Sequence, residues 1–163
     1  MMLGLTLVQF TALHVIISLV AIVSGVWAMI AYAAGQLRRP VLTAVFLATT
    51  TLTTVTGFLF PIHGMTPAIA TGLVSTLVLA VALGARYAAA PSRRAETTYA
   101  ASATVALYLN VFVLVVQAFQ KIPALNALAP GGTEPAFLVA QALTLALHGA
   151  LGIAAWRQAR TVG

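Results

Sequence analysis

His14, Thr53, Thr56, Asn110, Gln117, Lys121 and Gln141 are the side chains of this sequence best suited to hold a small ligand. All lie in or beside long apolar runs, where lipid offers no hydrogen bonds, so each must either join helices or serve a function. Asn110, Gln117 and Lys121 are seven and eleven residues apart, which places them on one helical face. Gln141, Thr144, His148 and Gly152 follow the same rule, as do Thr11, His14, Ser18 and Gly25. Three stripes that all avoid lipid would face one another. Together they would line a polar pocket with hydrogen-bond donors, one fixed cation and a titratable imidazole. That chemistry suits a small anionic or carbonyl-bearing molecule, a lipid headgroup or a quinone.

A second set is more ambiguous. Thr49, Thr50, Thr51, Thr53, Thr54 and Thr56 give six hydroxyls in eight residues. Threonine in a helix can return its hydroxyl to the carbonyl one turn back, so most of these are expected to satisfy themselves. Thr53 and Thr56 are the two read as pocket wall.

The histidines allow a sharper alternative, a b-type haem held by His14 and His148, because haem iron accepts axial imidazoles from two helices. Counted from the arginine-marked ends at ~1.5 Å per residue, His14 lies ~30 Å from the inner boundary and His148 ~14 Å. That mismatch of ~16 Å counts against one shared iron, so no cofactor is expected. By the same count Gln117 lies at ~27 Å and Gln141 at ~24 Å, forming an outer layer with His14. Lys121 and His63 would sit at its mouth.

The elements that position these residues follow from composition. Of the 163 residues 61% are hydrophobic and 6% charged, far below the quarter of a soluble domain, and the mean hydropathy is +1.04. The apolar runs are long enough to cross a ~30 Å hydrocarbon core as helices. They predict an all-α, polytopic transmembrane bundle of five helices in one membrane domain, with spans at about 5–34, 41–60, 67–87, 99–119 and 135–156. The first run is longer than a signal-peptide core and has no basic segment before it, so it reads as a retained span.

Arg38, Arg39, Arg86, Arg93, Arg94, Arg157 and Arg160 fall on one side of these spans and only Lys121 on the other. Cytoplasmic loops retain positive charge, which puts the N-terminus outside and the C-terminus in the cytoplasm. The net charge of +6 is thus a topology signal directed at the lipid bilayer, and nucleic acid is not a partner.

Cysteine and aspartate are absent, and Glu96 and Glu134 are the only acidic side chains. Thiolate metal sites, paired-carboxylate hydrolysis and two-metal chemistry lose their usual residues. Catalysis is therefore not expected. With both glutamates read as loop residues, no carboxylate is expected within the bundle to couple protons or cations, which disfavours a transporter. Gly25, Gly57, Gly72, Gly149 and Gly152 allow close helix packing, which supports a second reading: a scaffold or accessory subunit among partner membrane subunits.

Residues 120–134 are too apolar for a free linker. Ile122, Leu125 and Leu128 recur every three residues and predict a short helical turn at the interface. Thr133 is expected to cap the last helix, with Glu134 in reach of Lys121.

The segments Thr56-Gly57-Phe58-Leu59-Phe60-Pro61 and Tyr108-Leu109-Asn110-Val111-Phe112-Val113-Leu114-Val115-Val116-Gln117-Ala118-Phe119-Gln120-Lys121-Ile122-Pro123 resemble those of small, uncharacterised bacterial multi-pass inner-membrane proteins. The resemblance implies a bacterial inner membrane and carries no activity.

Overall fold

The computed structural model describes residues 4–36, 40–61, 67–88 and 92–161. Arg38, Arg39 and His63 lie outside the described residues. The architecture is all-α. Its helices are α1 (Leu7–Ala33), α2 (Pro40–Phe58), α3 (Pro67–Leu83, continuing as a π-helical turn over Gly84–Ala88), α4 (Arg93–Lys121), the short α5 (Pro123–Leu128) and α6 (Pro135–Ala159). Five of these helices are long and apolar enough to cross a membrane.

Local chemistry explains several of the helix ends. Thr6 caps α1 by accepting from the Gln9 amide at 3.3 Å, while Gln9 Oε1 accepts from the Thr6 amide at 2.9 Å. This reciprocal pair satisfies two of the donors that a helix start leaves free. The chain leaves α1 through Gly35 at φ +85°, a left-handed conformation open to glycine at little cost. Ser92 caps α4 by accepting from the Ala95 amide at 3.2 Å.

The helices form a ring. α1 packs on α2 and α6, α4 packs on α3 and α6, and α2 meets α3. α1 also touches α4 directly across the middle, so these two form the centre of the bundle. Gly25 permits this closeness. A Cβ there would lie 2.6 Å from the Phe46 ring and 2.8 Å from Leu107 Cδ1, so α1, α2 and α4 converge on a site with no room for a side chain. The buried core extends from there through Met29, Phe46, Leu47, Tyr99, Ala103 and Leu107. Outward-facing positions are apolar as well, including Leu73 and Leu77 on α3 and Leu143 and Leu147 on α6. A surface this apolar matches lipid and not water.

The two ends of the bundle differ in charge. The end of α3, the start of α4 and the end of α6 carry Arg86, Arg93, Arg94, Arg157 and Arg160, while Lys121 ends α4 at the opposite side. We refer to these as the arginine end and the lysine end.

Several expectations change. α4 begins at Arg93, well before position 99, because Ser92 supplies a cap and the long arginine side chains can reach water without interrupting the helix. Glu96 is thereby carried into the bundle, where it is only 6% exposed, so the expectation that the bundle holds no carboxylate is overturned. The short turn after α4 does form, as α5, and the Asn126 side chain ties it to α4 by donating to the Phe119 carbonyl at 3.2 Å.

Thr133 is not the cap of α6. That position is Glu134, and its carboxylate bends back to accept from the amides of Gly131 at 2.7 Å and Thr133 at 2.9 Å. Gly132, at φ +72°, makes the required turn. Among the described residues Glu134 forms no ion pair with Lys121. The backbone amides hold the Glu134 carboxyl below its ordinary value near 4.5. A carboxyl with a lowered folded value stabilises the loop above its ordinary range and loses that contribution as pH falls through the lowered value. Amide-exchange protection at Gly131 and Thr133 should therefore hold at neutral pH and drop under acid, and in Glu134→Gln it should be weak at every pH. Protection that ignores both changes would remove the carboxylate from this role.

Candidate functional site

Toward the lysine end, the in-span polar residues are used in pairs. On the face shared by α1 and α2, His14 Nδ1 lies 2.8 Å from Thr56 Oγ1. The Thr56 hydroxyl donates its own proton to the Leu52 carbonyl at 2.7 Å, so it can only accept from His14. That arrangement favours a proton on His14 Nδ1. Phe60 meets the ring edge-on at 5.2 Å, and Gly57 leaves space beside Cε1.

A second pair joins α4 to α2, with Asn110 Nδ2 donating to Thr50 Oγ1 at 3.3 Å. A third joins α6 to α4, with Gln141 Nε2 donating to the Phe112 carbonyl at 3.3 Å. Most of the remaining threonines of α2 return their hydroxyls to their own helix: Thr49 to Val45, Thr51 to Leu47 and Thr54 to Thr50. Thr53 Oγ1 and Gln141 Oε1 are buried with no partner among the described residues.

The seven residues read as one pocket are thus not drawn into one network. His14 and Thr56 meet directly. Asn110 and Gln141 each bond to a different neighbour, and Gln117 and Lys121 are exposed. The two histidines considered for haem turn to different helices. His14 faces α2, whereas His148 donates from Nδ1 to the Thr144 carbonyl at 2.8 Å and sets its ring against Tyr108 of α4 at 5.9 Å.

The densest polar cluster lies at the arginine end and includes residues that spacing alone did not single out. The Tyr32 hydroxyl, on the last turn of α1, donates to Glu96 Oε2 at 2.6 Å. Its ring packs at 5.5 Å on Tyr99, and the Arg86 guanidinium lies 5.7 Å from the Tyr99 ring centre, close enough for a cation–π contact. Tyr32, Glu96 and Tyr99 are all buried, at 3%, 6% and 1% exposure. Arg86 Nε is buried without a partner among the described residues, and no ion pair joins Arg86 to Glu96 there.

The cluster ties α1, α4 and the π-helical end of α3 together around one carboxylate. It fixes the phenol as a donor to the carboxylate and holds a cation beside an aromatic face. The available sequence signal was Ser92 as a cap with an acid in the following turn, a pattern that favours a helix start. The chain matches no protein-family model, no curated protein and no solved structure, so its function must be argued from its own geometry.

Proposed function

We propose that this chain is a non-catalytic helical bundle of a bacterial inner membrane, a scaffold or accessory subunit in a larger membrane assembly. Its N-terminus would face outward and its C-terminus the cytoplasm. One observation carries the reading: His14, Asn110 and Gln141 spend their hydrogen bonds on Thr56, Thr50 and Phe112 of neighbouring helices. Polar groups committed in this way hold a bundle in register and leave little for a ligand. The arginine asymmetry supports the orientation through the preference of positive loops for the cytoplasm.

A second reading rests on the unpartnered Thr53 Oγ1 and Gln141 Oε1. A buried hydroxyl and a buried amide oxygen without partners suit an outward-facing pocket for a small molecule, a lipid headgroup or a quinone in its reduced, hydroxyl-bearing form.

Native mass spectrometry in mild detergent separates the two. The scaffold reading expects stable protein assemblies without a stoichiometric small molecule. It also expects Gln141→Leu and Asn110→Leu to lower the unfolding free energy by ~0.6–1.7 kcal/mol each, the range of interhelical hydrogen bonds in lipid. A monomer that retains one small molecule, and loses it in Gln141→Leu, would instead establish the pocket.

A further inference from the structure

At the arginine end, Arg93, Arg94 and Thr97 of α4 and Trp156 and Arg160 of α6 line an open groove of about 430 Å³. We infer that this groove binds the phosphate headgroup of an anionic phospholipid, with an acyl chain running along the adjoining apolar surface of α4 and α6.

Charge is the first argument. Three guanidinium groups converge here, and the chain has only two acidic side chains. Glu96 sits in the same helical turn but points inward to Tyr32, and Glu134 is held by Gly131 and Thr133 at the lysine end. Neither reaches the groove, so the cations lack a carboxylate side-chain partner. Phosphate oxygens suit them because guanidinium presents planar, paired donors to such groups.

Geometry is the second. The Arg160 guanidinium stacks over the Trp156 indole at 4.7 Å, which biases it toward the groove. Indoles of this kind settle at the headgroup level of a membrane. Thr97 donates its proton to the Arg93 carbonyl at 2.8 Å, so it shapes the groove and adds no donor.

Continuity with the apolar surface is the third argument, and it selects a lipid over a soluble anion. Below Thr97 on the same face of α4 come Ala101 and Val105, and below Trp156 on α6 come Ile153 and Gly149. All four are exposed. Gly149 has open space where a Cβ would stand. A headgroup among the arginines would thus sit directly above a track of small and aliphatic residues, the arrangement a phospholipid requires. This inference does not depend on whether the bundle is a scaffold or a binder.

The test is native mass spectrometry of the full chain in detergent with phosphatidylglycerol and with phosphatidylcholine of matched acyl chains. Phosphatidylglycerol should be preferred. Arg94→Ala and Arg160→Ala should each reduce its binding about five-fold, from the contribution of one arginine near an anionic lipid surface. Arg157→Ala, beside the groove but not lining it, should leave the preference intact. Glycerol phosphate at the same concentration should fail to displace the lipid. Equal binding of the two lipids, an equal loss in Arg157→Ala, or displacement by glycerol phosphate would each overturn the inference, the last in favour of a soluble anion.

Discussion

Gly25→Ala should destabilise the bundle by ~1–3 kcal/mol, and Gly25→Val by more, although alanine is ordinarily the better helix former by ~1 kcal/mol. Packing decides the sign. The added Cβ would meet the Phe46 ring at 2.6 and 2.7 Å and Leu107 Cδ1 at 2.8 Å. Neither neighbour can withdraw easily, since Phe46 and Leu107 are both 0% exposed and sit within the core. Relief would require α1 to move away from α2 and α4, loosening the contacts at the centre of the ring. Gly149→Ala provides the contrast: nothing lies within 4 Å of its Cβ position, so only the backbone preference remains and the change should be neutral or slightly stabilising. Thermal unfolding of both variants in detergent measures the difference. If Gly25→Ala melts with wild type, the three helices do not converge as closely as described.

The second large effect is expected at Tyr32. Tyr32→Phe removes the hydroxyl that donates to Glu96 Oε2 at 2.6 Å and leaves a carboxyl that is 6% exposed without its side-chain partner. A buried polar group stripped of its partner costs ~1–3 kcal/mol, and more when charged. Glu96→Leu in turn leaves the phenol only its longer bond, to the backbone carbonyl of residue 96 at 3.2 Å. The double variant Tyr32→Phe/Glu96→Leu removes both halves and should recover part of the loss, because two apolar groups can replace a buried polar pair at little net cost. The measurement is a double-mutant cycle on unfolding free energy. Strict additivity of the two single changes would mean that the pair is not coupled, and the cluster would lose its place as the tie between α1 and α4.

Much of the architecture was legible from residue types. The five apolar runs, the uneven arginines and the three-residue spacing of Ile122, Leu125 and Leu128 each reflect a local rule, and the five long helices and α5 correspond to them. The start of α4 was misread because a charged stretch resembles a loop. Arginine side chains can reach water from a continuing helix, and so do not mark its end. The same confusion hid Glu96, whose neighbours Arg93 and Arg94 are exposed while it is buried. Thr133 was the natural cap by type, but the adjacent carboxylate can accept from two amides at once and takes over the turn.

The polar stripe on α4 shows the same limit. Periodicity states which residues share a face; it does not state which way that face turns. Asn110 is half-buried and meets Thr50, whereas Gln117 and Lys121 on nominally the same face are exposed. An α-helix drifts ~20° with every seven residues, so residues seven and eleven apart share a face only approximately, and their burial is set by the neighbours each one meets.

By itself, the sequence determined the helical class, the number of long apolar helices and the separation of arginines from the lone lysine, because hydropathy and charge act through each segment's own exchange between water and lipid. Only the tertiary structure decided that His14 pairs with Thr56, that Gly25 lies under Phe46 and Leu107, and that Tyr32 finds Glu96. Those contacts depend on the rotation of each helix about its axis and on its depth beside its neighbours, and both are set by mutual packing rather than by any one helix.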